Sequence, residues 1–238
     1  MPTNILGRVD LARKRVLEIG PASGYLTFYM ESKGAEVVSV ELPLDHVWDI
    51  VPDAELDLEA FAEEVRDGIE YVRNAYWFTH ERVGSKARVY YGDIYNLPEA
   101  LGRFDYAVIC SLLLHVRDPL KVVQECAKLA DNLVIADMQY PEVPLDEPIM
   151  RWFPTKEAHV PHVWWKFSPQ LFMRFAEVLG FAESTVSLHE QLYVADGPPA
   201  MFTVVAIRKS GFTLKDGVPV VPLSQVRRPE RAVSRRPA

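Results

Sequence analysis

The chain has 238 residues, 49% of them hydrophobic, and a formal net charge of −7, enough apolar material for one domain with elaborations. No run of about 18–20 apolar residues is present to cross a bilayer, and the N-terminal MPTNILGRVDLARKR lacks the apolar stretch of a secretory signal. Cys110 and Cys126 are the only cysteines; they read as small core residues of a cytoplasmic protein, not as a disulfide framework or a zinc site.

Charge is spread unevenly. From Arg208 to Ala238 there are eight Lys/Arg against two Asp/Glu, which leaves residues 1–207 with a net charge of −13. An acidic body repels phosphate and argues against nucleic acid as the partner. The segment 209–238, ending in SQVRRPERAVSRRPA, reads as a solvated flexible tail, with a partner-binding arm as the other reading.

In chain order, Arg15–Ile19 (RVLEI) is a short buried strand that stops at Gly20. Residues 23–33 are helical, with Ser23 as the cap and Gly34 as the stop. A second strand over 35–40 ends at Glu41. An irregular stretch, 42–53, precedes an amphipathic helix over 56–81, in which Phe61, Val65, Ile69, Val72 and Tyr76 fall at helical spacing. A third strand, Arg88–Tyr91, runs into GDIYNLP, and a fourth covers 106–111.

Pro119 opens a helix over 119–128, and a fifth strand covers 132–137. Residues 139–167 are rich in proline and aromatics, long for a structureless loop and for that reason suspected of function. A helix over 168–179 is entered by Ser168-Pro169. Two last strands, 182–188 and 201–208, with a turn at Gly197-Pro198-Pro199, read as an antiparallel pair. Strands alternating with helices predict a doubly wound, Rossmann-like α/β sheet.

The turn after the first strand, Glu18-Ile19-Gly20-Pro21-Ala22-Ser23-Gly24-Tyr25, carries the strongest signal. Ligands of doubly wound sheets bind outside the carboxyl ends of the strands, which this turn borders. Gly20 lets the backbone approach a ligand, and Gly24 lets the next helix pack on the sheet. Glu41 can accept hydrogen bonds from both hydroxyls of a ribose. Asp93 can accept from an exocyclic amine, with Ile94 offering an apolar face to a purine. Pro21 has no N–H to give a pyrophosphate, which disfavours a dinucleotide.

Three segments, VLEIGPASGYLTFYMESKGAEVVSVEL, YYGDIYNLP and FDYAVICSLLLHVRDPLKVVQEC, resemble the successive motifs of class I S-adenosylmethionine-dependent methyltransferases. The resemblance covers Arg15 to Asp137, with weaker echoes to Arg208. It implies a seven-stranded sheet whose last strand is antiparallel and S-adenosylmethionine as cofactor. It places Glu18 and Gly20 by the methionine moiety, Glu41 on the ribose, and Asp93 and Ile94 on the adenine, with Pro21, Gly24, Tyr25 and Ser111 as further cofactor-binding candidates. Relatives often carry glycine where this chain has Ala22. GSKARVYYGDIYNLP, SLLLHVRDPL and WWKFSPQLFMRFAEVLGF are similar to a branch holding wobble-uridine carboxymethyltransferases of tRNA and small-molecule methyltransferases of biosynthetic clusters.

His115 stands at the carboxyl edge of the sheet, where an imidazole can take the proton of a hydroxyl acceptor. His159 and His162 lie in the second zone, 152–165, whose aromatics can wall a pocket. Glu157, His159 and His162 follow no metal-ligand spacing, and no metal is expected. Segments 42–85, which holds Trp48 and Trp77, and 139–167 read as insertions covering the pocket of a domain spanning 1–208. The favoured partner is a small acceptor methylated on oxygen, without nucleic acid or membrane; a homo-oligomer stays open. A tRNA acceptor, methyl or carboxymethyl, and a non-catalytic cofactor-binding protein are the alternatives.

Overall fold

A computed structural model describes residues 2–46, 49–156, 160–190 and 200–208. Its elements are α1 (Pro2–Ile5), β1 (Arg15–Ile19), α2 (Tyr25–Ser32), β2 (Glu36–Glu41), α3 (Leu58–Val83), β3 (Arg88–Tyr91) and β4 (Phe104–Cys110). These are followed by α4 (Pro119–Leu129), β5 (Ala130–Met138), β6 (Met150–Trp152), β7 (Trp165–Phe167), α5 (Pro169–Val178), β8 (Glu183–Glu190) and β9 (Ala200–Ile207).

Seven strands form one sheet in the order β3-β2-β1-β4-β5-β9-β8. The first five are parallel, and β9 runs antiparallel to both β5 and β8. This is the doubly wound sheet that the alternation of elements predicts, with the antiparallel last strand that the resemblance implies. Strand order reverses between β1 and β4, so the carboxyl ends of β1, β2 and β4 surround the switch point where such sheets bind ligands.

Each face buries its own half of the alternating side chains. Leu17, Ile19, Ile109, Leu133 and Phe202 pack with Val122, Val123 and Cys126 of α4 and Phe172 of α5. On the other face Val16, Val37, Val108, Val134 and Val205 meet Met30 of α2 and the N-terminal Ile5, Leu6 and Val9. The short α1 was not foreseen from sequence; it closes this second layer.

Local chemistry sets the helix boundaries. Asp57, Asp118 and Ser168 cap α3, α4 and α5 through side-chain acceptors, each worth about 1 kcal/mol. The expectation of a Ser23 cap is corrected. The residue before α2 is Gly24, in the left-handed region at φ 87° with no side-chain cap, and Ser23 belongs to the turn. A β-carbon at Gly24 would stand 2.3 Å from the Phe28 ring and 2.9 Å from Tyr76, so glycine permits both the turn and the packing of α2 beside α3.

Segment 139–167 is not wholly irregular, since β6 and β7 pair antiparallel within it. Ser168 ties this flap to the body, donating to the Glu147 carbonyl and accepting from the N–H of Ile149. The turn at Gly197-Pro198-Pro199 and the tail 209–238 lie outside the described residues. Cys126 is buried and Cys110 half-buried, and both are free thiols, their pKa pushed up by burial.

Candidate active site

A cavity of about 990 Å³ opens at the carboxyl ends of β1, β2, β3 and β4, beneath α3. Among the sequence-selected residues, Glu18, Gly20, Pro21, Tyr25, Glu41 and Ile94 line it, together with Ser111, His115 and His162. Gly24 and Asp93 are not on its wall. Gly24 lies behind the turn, and Asp93 is exposed, its carboxylate accepting from the N–H of Tyr95 at 2.8 Å. His159, Glu157 and Trp48 lie outside the described residues.

The turn after β1 forms one end. The Gly20 N–H donates to the Val40 carbonyl at 2.9 Å, pinning the turn to β2. Gly20 has φ 72° and Ala22 φ 48°, both left-handed, so glycine at the second position would relieve strain. Glu18 is buried and accepts from Thr27 Oγ1 at 2.5 Å and Ser39 Oγ at 2.8 Å. Burial outweighs these bonds and pushes its pKa up to about 7. Glu41, at the end of β2, accepts from the Leu42 N–H at 2.8 Å; burial raises its pKa while Arg73 opposes the rise.

Arg73 comes from α3 and was not picked out from sequence. It donates to the Leu42 carbonyl at 2.6 Å and lies 4.3 Å over the Tyr91 ring. Trp77 Nε1 donates to the Tyr91 hydroxyl at 2.8 Å, which fixes Tyr91 from the outside. Three buried atoms on cavity-lining residues lack a hydrogen-bond partner among the described residues: Arg73 Nε, Tyr76 Oη and Ser111 Oγ. Such atoms are costly unless something polar meets them. With two carboxylates and the apolar Ile94, this end fits a nucleoside bearing an amino acid chain.

The other end is assembled after β4. Ser111 leaves the strand in a left-handed conformation, φ 50°, and a 3-10 turn, Leu113–His115, follows. His115 Nδ1 lies 2.6 Å from the His162 carbonyl oxygen. A carbonyl only accepts, so Nδ1 carries the hydrogen and Nε2 of the neutral ring keeps its lone pair. Burial lowers the pKa of His115 and of His162, which keeps both rings neutral near pH 7. His162 lies parallel to Phe61 of α3, with ring centroids 6.5 Å apart.

A strap holds this turn. The Trp164 N–H donates to the Leu114 carbonyl at 2.8 Å, and Trp165 Nε1 to the Val116 carbonyl at 3.0 Å. Asp49 accepts from the Tyr95 hydroxyl and from the Arg117 N–H, while its own carbonyl takes the indole hydrogen of Trp164. The loop after β3, the turn after β4 and the flap thus all close on Asp49. Asp49 and Tyr95 were missed because each lies in irregular sequence with no period to mark it. Ile5 also lines the cavity, from α1.

The fold is a doubly wound α/β sheet with one cavity at its switch point, lined by Glu18, Glu41, Ser111, His115 and His162 among others. The sequence matches the family model described as a methyltransferase domain over residues 3–182. The chain belongs to that family and is a methyltransferase. No curated protein sequence matches it. The fold is similar to the N-terminal domain of EvdMO1, solved in the presence of SAH and D-fucose, at 20% identity and TM-score 0.55, over 87% of this chain and 79% of that one. It is similar too to the magnesium protoporphyrin IX methyltransferase of Synechocystis PCC 6803, at 12% identity and TM-score 0.52, covering 87% and 76% of the two chains. A candidate RNA methyltransferase of Pyrococcus horikoshii shares the fold at 14% identity and TM-score 0.52, covering 87% and 83%.

Proposed function

We propose that the protein transfers the methyl group of S-adenosylmethionine to a hydroxyl oxygen of a small molecule. One observation carries the reading. A single cavity holds carboxylates and an orphaned hydroxyl at one end and an imidazole with a bare Nε2 at the other.

S-adenosylmethionine is the methyl donor, and when bound it supplies an electrophilic methyl group on a sulfonium. Glu41 holds the ribose hydroxyls, Ile94 flanks the adenine with Asp93 at its rim, and Glu18, Gly20, Pro21, Tyr25 and Ser111 enclose the methionine end. Gly24 acts by packing the turn. His115 takes the hydroxyl proton on Nε2, held in that tautomer by the His162 carbonyl. His162 flanks it, and His159 remains a second base to be tested. Segments 42–85 and 139–167 cover the acceptor and exclude water. Support in kind comes from the similar structures, whose names join S-adenosyl ligands with D-fucose and a protoporphyrin.

A tRNA wobble-uridine acceptor, methylated or carboxymethylated, is the competing reading. Among the described cavity-lining residues the only Lys or Arg is Arg73, already bonded to Leu42, which offers a polynucleotide little to track. Calorimetric titration with S-adenosylhomocysteine should show micromolar binding, lost in Glu41→Ala. Incubation with S-adenosylmethionine and hydroxylated acceptors should yield methyl ethers. A folded chain that binds neither S-adenosyl compound overturns the donor assignment, and methylation of tRNA alone overturns the acceptor assignment.

A further inference from the structure

The helix α3 carries an apolar stripe that the described residues cover only in part. Val65, Gly68, Ile69, Val72 and Tyr76 recur at three- and four-residue intervals, so they share one face of the helix, and all five line the cavity. Only Tyr76 is buried, its ring 5.2 Å from that of Phe28. A helix in a protein draws most of its stability from packing such a face. In the C-terminal half Tyr76 has that packing, while in the N-terminal half Phe61 meets His162 and Val65 and Ile69 are only half-buried along the cavity.

Gly68 sharpens the point. Glycine inside a helix weakens it relative to alanine, and something must favour it here. Its φ is not left-handed, and among the described residues no atom lies within 4 Å of where a β-carbon would stand. Neither backbone conformation nor close packing requires glycine. The room in front of it belongs to the cavity.

Charge narrows what fills that room. Arg73 sits at the donor end, bonded to the Leu42 carbonyl and stacked on Tyr91. Asp49, toward the other end, is engaged by Tyr95 and Arg117. A phosphate or carboxylate lodged under Val65 and Ile69 would lose its water with no described cation to meet it. Against the aliphatic side chains that end sets the rings of His115 and His162, each neutral and each with one unprotonated nitrogen.

We propose that the slot beneath the N-terminal half of α3 is the acceptor subsite, that it takes a neutral, apolar phenol, and that position 68 sets the size it admits. The proposal rests on the reading of methyl transfer to oxygen given above. A phenol fits the base as well as the wall. Its hydroxyl has a pKa near 10, within reach of an imidazole, whereas an aliphatic alcohol is far less acidic. The acceptor oxygen forms the new bond to the methyl carbon as the carbon–sulfur bond breaks, leaving its electron pair on sulfur. The phenolic proton passes to Nε2 of His115 and from there to water.

The probe is 2-naphthol, titrated by fluorescence into protein saturated with S-adenosylhomocysteine, beside 2-naphthyl phosphate and methyl glucoside. Wild type should bind 2-naphthol and neither of the other two. Gly68→Leu should weaken 2-naphthol at least tenfold and Gly68→Ala less, with S-adenosylhomocysteine affinity within twofold of wild type in both. Equal 2-naphthol binding by Gly68→Leu, preference for the phosphate or the glucoside, or loss of S-adenosylhomocysteine in Gly68→Leu would each overturn the subsite. If wild type binds S-adenosylhomocysteine but not 2-naphthol, this proposal fails alone; if it binds neither, the donor assignment fails with it.

Discussion

The two ends of the cavity are held in different ways. At the donor end, Glu18 and Glu41 stand on strands whose register is fixed on both sides: Glu18 pairs with Ser39 and Val108, and Glu41 with Tyr91. A strand cannot slip by one residue without turning its buried side chains outward. At the acceptor end the wall is α3, with one buried residue, and a strap of single hydrogen bonds joining Asp49, Trp164 and the turn at His115. Rigid strand ends suit a donor that never changes. A wall hung on loops can change its acceptor without disturbing the sheet.

The sharpest way to break this division is to strike each end and read both. His115→Gln should lower kcat by about 10²- to 10⁴-fold and flatten its rise with pH, while S-adenosylhomocysteine affinity stays within about threefold by calorimetry. Glu41→Ala should do the reverse in the binding assay. Two hydrogen bonds to a charged acceptor, about 1.5–3 kcal/mol each, put the loss of S-adenosylhomocysteine affinity at about 100-fold or more. If His115→Gln also costs 100-fold in that affinity, the two ends are not separable.

Legibility followed the same division. Arg15–Ile19 and Arg88–Tyr91 were read to the residue, and the last two strands as an antiparallel pair, because alternation, turns and apolar runs are local signals; the antiparallel joining of the last strand to the parallel body came from the family resemblance. Glu41 and Ile94 were legible as strand-end residues. Arg73, Asp49 and Tyr95 were not, since what makes them part of the site is a contact across 31, 68 or 46 residues of sequence. The stripe on α3 was visible as a period of 3.6, but a period does not say whether protein or ligand covers it. Ser23 was misread as a cap because its residue type fits, while the backbone gives that place to Gly24.

Titration separates the ends a third way. Burial pushes Glu18 up to about 7 at the donor end. It does the same to Asp137, at the end of β5 behind the turn at Leu114, where Oδ1 accepts from the Met138 N–H at 2.7 Å and Oδ2 has no partner. A carboxyl whose folded pKa is raised binds more protons folded than unfolded near neutrality, so its contribution to stability is full below the unfolded pKa and lost as pH rises through about 7. Between pH 6 and pH 8 the ligand-free protein should lose about 1 kcal/mol for each group, read as a falling denaturant midpoint. If the ammonium of S-adenosylhomocysteine meets Glu18, as the proposed donor site requires, saturating ligand should remove the Glu18 part and leave that of Asp137. An unchanged slope with ligand bound would place the ammonium elsewhere; Asp137→Asn should then still halve it.

The smallest effect compares one backbone feature at two turns of the cavity, after β1 and after β4. Ala22 and Ser111 each sit in the left-handed region, at φ 48° and 50°, which costs an L-residue about 1–2 kcal/mol. Glycine removes that cost and adds about 0.5–1 kcal/mol of chain entropy. Ala22→Gly and Ser111→Gly should therefore each stabilise the ligand-free protein by about 0.5–1 kcal/mol, or roughly 2 °C in Tm. Their ligands should tell them apart. Ala22 has only a methyl group to lose, and S-adenosylhomocysteine affinity should stay within about twofold. Ser111 loses a buried hydroxyl that has no partner among the described residues, and if that hydroxyl meets the donor, one hydrogen bond of about 1 kcal/mol should appear as a fivefold weaker titration. Equal affinity in the two variants would mean that Ser111 keeps its strained backbone to aim the turn at His115 and not to touch the donor, and kcat would then fall in Ser111→Gly with binding unchanged.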